Sequence, residues 1–286
     1  EFDESDCFFN QILKKVKSFF TRKQLFETCK DKYIYLAKEN VRFYFEEIDP
    51  ISFAEVALMA VLCNSNIEIF IKNENYFDCI DTEFKAYILG FICADGYIGV
   101  HDDFCMVLSD IHDENYNTLK HLKDELDTDL TIQHRHTKEG YGNYTFKFSN
   151  SHIVSSLINL GITHNKLKSR TSIPNIPHSL IRHFIRGLFD GDGSICRYWD
   201  NTDNRERIEL SFLGNPNLLL QVAQVIEHEC NAPIFNYKNV RRIENLYKIS
   251  SRGLKKISLI KDYLYNNANY YLDYKHERFY TYTQSL

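Results

Sequence analysis

No uninterrupted apolar run in the chain reaches the roughly 18 residues of a membrane-spanning helix, so no such helix is predicted. The N-terminal stretch lacks the basic-then-apolar layout of a secretory signal. No two of the eight cysteines stand as a CxxC pair, which argues against a zinc ribbon and against a disulfide framework. Reduced, mostly buried thiols of an intracellular protein are expected instead. An excess of basic residues is also missing. The net charge is −5, acids outnumber bases through residues 1–170, and only residues 171–286 are basic. Net charge bears on long-range steering and leaves a local binding groove open. A disordered composition is absent too: 44% hydrophobic and 26% charged residues in a chain of 286 can build a sizeable core, in one large domain or two to three small ones.

What the chain does contain is an internal duplication. Phe84 to Ile98, FKAYILGFICADGYI, aligns without a gap on Ile181 to Ile195, IRHFIRGLFDGDGSI. Ile88, Gly90, Asp95, Gly96 and Ile98 fall on Ile185, Gly187, Asp192, Gly193 and Ile195. Each copy reads as an apolar helix that contains a glycine and ends in an acid and a glycine.

Three regions follow from this. Residues 1–80 read as a helical N-terminal region: Phe8, Ile12, Val16 and Phe20 recur at helical spacing, and Ser52 with Glu55 forms a capping box. The region has neither the turn glycine nor the basic helix of a helix-turn-helix, and is read as a helical packing module. Residues 81–173 form the first repeat and 174–286 the second. In each, the motif helix is followed by a hairpin, a helix, a second hairpin and a third helix. The glycines of Lys138 to Gly142 supply one turn, and Thr171 to Pro177, with two prolines, is the linker. YTFKFSN at 144–150 aligns with LYKISS at 246–251, which sets Lys147 against Lys248. The tail from Asn269 reads as a closing segment. The predicted class is α+β, with two pseudo-symmetric αββαββα repeats.

The motif pair suggests chemistry. Gly90 and Ala94, and likewise Gly187 and Gly191, lie four apart and share one helix face. Without bulk there, the two motif helices can approach closely about a pseudo-two-fold axis. Their C-terminal ends then converge, and Asp95 and Asp192 come side by side. Two adjacent carboxylates are unfavourable unless something offsets their charge. A hard divalent cation, Mg²⁺ or Mn²⁺, does so through oxygen ligands, to which the carbonyls of Ala94 and Gly191 can add. Such a site beside a phosphodiester can activate water and stabilise a leaving oxygen.

ILGFICADG at 88–96 and IRGLFDGDG at 185–193 resemble the paired motifs of single-chain LAGLIDADG homing endonucleases. YFDCIDTEFKAYILGF and GITHNKLKSR also look like segments of that family. The resemblance covers about residues 77–286. It implies a saddle of antiparallel strands along the DNA major groove and cleavage of both strands at a shared divalent-metal site. Asp95 and Asp192 match the family's metal-binding acids. Cys93 stands where the motif has an earlier acid, which the second copy retains as Asp190. The glutamine or lysine usual near the end of the second strand of each half is replaced by Ser109 and Asp110, and by Leu213 and Gly214. Lys166 or Lys275 could supply the missing charge. Other proteins of this fold bind DNA without cutting it or act as RNA maturases, so both remain alternatives.

Strand alternation assigns the candidate DNA-reading face. Gln133, Arg135, Lys147, Arg207 and Lys248 are expected to point outward, joined by Arg197, Lys238 and Arg241. Arginine and glutamine can read guanine and adenine edges, while lysines contact phosphates. The expected partner is double-stranded DNA with one long target site, bound by a monomer.

Overall fold

A computed structural model describes residues 71–99, 103–128, 130–136, 140–164, 168, 170–231, 233, 235–239 and 246–284. The helices expected within residues 1–70, and the candidates Lys166 and Arg241, lie outside the described residues. The chain divides into two compact units, residues 1–72 with 127–131, and residues 73–126 with 132–286. The helices and strands of both repeats belong to the second unit.

The first repeat runs α1 (Glu83–Asp95), β1 (Gly96–Ile98), β2 (Asp103–Ser109), α2 (Asp113–Glu125), β3 (Gln133–His136), β4 (Gly142–Ser149) and α3 (Ser151–Asn159). The second runs α4 (His178–Asp192), β5 (Ser194–Asp200), β6 (Arg205–Gly214), α5 (Pro216–Glu229), β7 (Asn236–Asn239), β8 (Tyr247–Arg252) and α6 (Leu254–Tyr265). The sheets have equivalent orders, β1-β2-β4-β3 and β5-β6-β8-β7, with every pairing antiparallel. The fold is therefore the duplicated αββαββα arrangement expected. One element is added: the tail holds a further helix, α7 (Asp273–Gln284).

Local chemistry explains where the helices start. Thr82 caps α1 by accepting from Lys85 N at 3.2 Å. Asn150 caps α3 through Ile153 N at 2.9 Å, and Asn215 caps α5, with Pro216 at its first position. The linker is pinned by Gln221, whose side chain accepts from Ile173 N and donates to Thr171 O.

Alternation along the strands separates the two faces. Phe104, Met106, Leu108, Phe146 and Phe148 are buried against helices that contribute Leu119, Leu122 and Leu157. Ile208, Leu210, Phe212 and Ile249 play the same part beside Leu219, Val222 and Ile226. Each such side chain contributes ~1.5–3 kcal/mol when fully buried.

The ladders correct one sequence alignment. Phe104 pairs with Ile98 and Leu210 with the equivalent Ile195. On that frame Lys147, opposite Cys105, corresponds to Ser250, opposite Ser211, while Lys248, opposite Leu213, corresponds to Thr145. The expected match of Lys147 with Lys248 is off by two residues. A slip of two leaves each side chain on its expected face but moves it ~7 Å along the strand.

Candidate functional site: the paired motif ends

The motif helices α1 and α4 pack against each other through a reciprocal glycine contact. A Cβ at Gly90 would collide with Phe184 O and lie 2.9 Å from Leu188 N. A Cβ at Gly187 would collide with Tyr87 O and lie 2.9 Å from Phe91 N. Tyr87 and Phe184 are equivalent in the duplication, as are Phe91 and Leu188, so the interface is self-complementary about a pseudo-two-fold axis. Both helices are buried along most of their length. One turn further on, a Cβ at Gly191 would strike the Cβ of Ala94 and lie 2.9 Å from Asp95 Oδ2. The carboxylate of the first motif thus lies against the backbone of the second. Asp95 and Asp192 are the last residues of their helices and both are half-buried.

Two buried cations stand behind the acids. Arg170 Nη1 donates to Ile92 O at 3.2 Å and Cys93 O at 2.5 Å, Nη2 donates to Gly96 O at 2.7 Å, and the guanidinium also holds Thr163 O. Lys275 Nζ donates to Phe189 O at 2.9 Å, Asp190 O at 2.5 Å, Gly191 O at 3.3 Å and Gly193 O at 2.9 Å. Ile92 O and Phe189 O also accept from the cap N–H groups of Gly96 and Gly193; the carbonyls after them lack helical donors, and the helix ends carry partial negative charge, so a buried cation is favourable there. Burial pushes both cations' pKa values down. For Arg170, Cys93, Asp192 and Asp95 oppose that shift; for Lys275, Asp190, Asp95 and Asp192 do. Each cation therefore feels both motif acids. Lys275, a candidate read from sequence, occupies the site; Arg170 was missed. The arginine closes the GITHNKLKSR segment, but nothing in the sequence says that its side chain turns back under α1.

The earlier motif acid has a different part. Asp190 is buried and accepts from Tyr87 Oη at 3.0 Å, Tyr265 Oη at 2.7 Å and Leu272 N at 2.9 Å. Burial raises its pKa, against the pull of Lys275 and these donors. It joins α4 to α1, α6 and the lead-in to α7. Cys93, its equivalent, is likewise buried.

The donor set at the motif ends fits a hard divalent cation. The carboxylates of Asp95 and Asp192 are oxygen donors near solvent, and the Gly191 carbonyl keeps a second lone pair beyond the 3.3 Å contact with Lys275.

On the outer sheet faces the expected cations are already engaged. Lys147 pairs with Asp103 at 2.9 Å. Lys248 and Arg252 both hold Glu209, the latter at 2.6 Å. Arg207 pairs with Asp200 at 2.6 Å and with Asp203. Arg135 donates to Gln133 on the same face. Asp103 and Glu209 are equivalent positions, so each half carries an acid at the same point of its outer face. Lys238 lies opposite Lys248 in the β7–β8 ladder. Arg197 does not share this face. It pairs across the ladder with buried Ile208, bonds Glu206 at 3.3 Å and sits 5.4 Å from the Tyr282 ring of α7. Its place two residues after buried Ile195 fixes that side.

No protein-family model and no curated protein sequence matches the chain. Among solved structures it is similar to the LAGLIDADG homing endonuclease I-GzeII in complex with its DNA target, at 13% identity and a TM-score of 0.48, over 72% of this chain and 89% of that one. It is similar to I-LtrWI bound to target DNA at 12% identity and a TM-score of 0.46, over 74% and 91%. It is also similar to the N-terminal LAGLIDADG domain of DUF199/WhiA, at 18% identity and a TM-score of 0.41, over 67% and 89%. Likenesses this distant concern the fold alone. The fold itself, two αββαββα halves joined along glycine-containing motif helices, is of the LAGLIDADG kind.

Proposed function

We propose that the chain is an intracellular, monomeric, site-specific double-stranded DNA endonuclease that depends on Mg²⁺ or Mn²⁺. One observation carries this reading: two acids at equivalent positions of a duplication end helices that pack along a glycine-lined interface, where a Cβ at Gly191 would lie 2.9 Å from Asp95 Oδ2 and Arg170 and Lys275 bond the adjoining carbonyls. A divalent cation held by Asp95 and Asp192, with the carbonyls of Ala94 and Gly191, would activate water and stabilise the leaving oxygen of a scissile phosphate. Water adds to phosphorus as one P–O ester bond breaks, and one such event in each strand cuts the duplex. Arg170 and Lys275 hold the helix ends, and with them the acids, in register. Gln133, Arg135, Lys147, Arg207, Lys248 and Lys238 would read or grip the duplex from the outer sheet faces.

A second reading, a protein of this fold that binds DNA without cutting or acts on RNA as a maturase, is favoured by Asp103 and Glu209. Each occupies a lysine that would otherwise meet phosphate.

The deciding experiment exposes a randomised double-stranded DNA library to the native chain, Asp95→Asn and Asp192→Asn, with Mg²⁺ or Mn²⁺. Cutting at one long site, reduced to nicking or abolished by either substitution, is expected. Specific binding with no cutting in either metal would replace the nuclease reading with the second one.

A further inference from the structure

Just past the C-terminal end of β2, Asp110, His134 and His136 bring three ligand atoms within 4.8 Å of one another. We propose that this cluster is a binding site for a transition-metal dication, Zn²⁺ foremost, that fastens edge strand β3 to the turn after β2. The geometry follows from the strands. His134 and His136 are two apart on β3 and so share a face. The rings stand 4.6 Å apart, and His134 is held at 4.8 Å against Tyr144. Asp110 Oδ2 lies 2.7 Å from His134 Nε2. Asp110 is itself fixed by its N–H, which donates to Gly142 O at 3.2 Å.

Gly142 supplies an independent argument. It sits directly opposite His136 in the β3–β4 ladder, and a Cβ there would fall on the Asp110 carboxylate. A plain His134–Asp110 pair needs no second imidazole, yet His136 brings a ring nitrogen within reach of both. Two of the three ligands are not repeated in the second half: Asp110 and His134 fall on Pro216 and Asn239. The cluster is therefore an addition to one half, outside the architecture the repeats share.

Two imidazoles and one carboxylate suit Zn²⁺ and not Mg²⁺, which takes oxygen ligands. Tetrahedral Zn²⁺ places its ligand atoms about 3.4 Å apart, so closure from the present arrangement needs side-chain rotations of about 1 Å. All three side chains have solvent access, and the fourth position is left to water.

The test is calorimetric titration of the full chain with Zn²⁺ at pH 7.5. The double variant His134→Ala/His136→Ala is expected to bind one equivalent fewer than the native chain. Asp110→Asn should weaken that equivalent at least tenfold, and excess Mg²⁺ should not displace it. Asp95→Asn/Asp192→Asn should retain it, which separates this site from the motif acids whatever their activity. Equal stoichiometry and affinity in the native chain and the histidine double variant would overturn the proposal, as would loss of the equivalent in the motif-acid variant.

Discussion

Arg170 and Lys275 perform the same task in the two halves with different side chains from different parts of the chain. Arg170 donates to the carbonyls of Ile92, Cys93 and Gly96, and Lys275 to those of the equivalent Phe189, Asp190 and Gly193. One cation follows the last helix of its repeat; the other comes from the added helix α7. Two unrelated segments meeting the same requirement points to the requirement itself: the motif helices end inside the protein, and their last carbonyls need donors.

Lys275→Met should therefore destabilise the fold by about 3 kcal/mol, because it leaves several buried carbonyls and the Asp190 carboxylate without their cation. Arg170→Met should cost a similar amount. Arg170→Lys should recover part of it, since an ammonium cannot span the carbonyls that the planar guanidinium reaches. Urea unfolding midpoints measure all three, and a native-like midpoint for Lys275→Met would show that the carbonyls find other donors.

The glycines of the interface should separate stability from site geometry. Gly90→Ala and Gly187→Ala push a methyl into the facing backbone and should each cost about 1–3 kcal/mol or more. Gly191→Ala pushes instead against Ala94 and Asp95 Oδ2. It should lower divalent-metal affinity several-fold for a smaller loss of stability. Equal effects of all three on both quantities would contradict this division.

Acid should weaken the fold before most carboxylates titrate. Burial, with help from Arg186, pushes His183 down to about 4 from 6.5, against the pull of Glu83. Between those values the unfolded chain binds more protons at this ring than the folded one, so stability is full above about pH 6.5 and falls as the pH drops towards 4. Burial pushes the Glu83 carboxyl up, yet Asn269, Arg186 and His183 hold it below its usual value. Its contribution is lost in the same direction, at lower pH. Unfolding free energies from urea titrations at pH 7.5 and 4.5 should differ by about 1–2 kcal/mol in the native chain and by clearly less in His183→Gln.

On the outer sheet face, the Lys147–Asp103 pair gives the nuclease and binding readings a common test. Asp103→Asn frees one cation and should raise DNA affinity and steepen its salt dependence by about one counterion; Lys147→Ala should do the reverse. Filter binding between low and moderate salt reads both. No change from either would remove this face from the interface.

Much of the architecture was legible from the chain alone, because it depends on short-range pattern. Period-two alternation placed Lys147, Arg207 and Lys248 on the outer faces, and the gapless repeat placed Asp95 and Asp192 at equivalent helix ends. Glycine four residues before a small residue announced a close helix approach, because absence of bulk is a property of the residue itself. Register was less accessible: a shift of two residues preserves every face, so only the hydrogen-bonded ladders showed that Lys248 answers to Thr145 and not to Lys147. Alternation also excluded Arg197 once the strand began at Ser194. Tertiary structure alone decided which cations reach the motif ends, why Asp190 is an anchor for two tyrosines, and that His134, His136 and Asp110 converge. Those facts depend on long-range side-chain placement, and a flexible arginine or lysine carries no sign in its own sequence of where its charge will be buried.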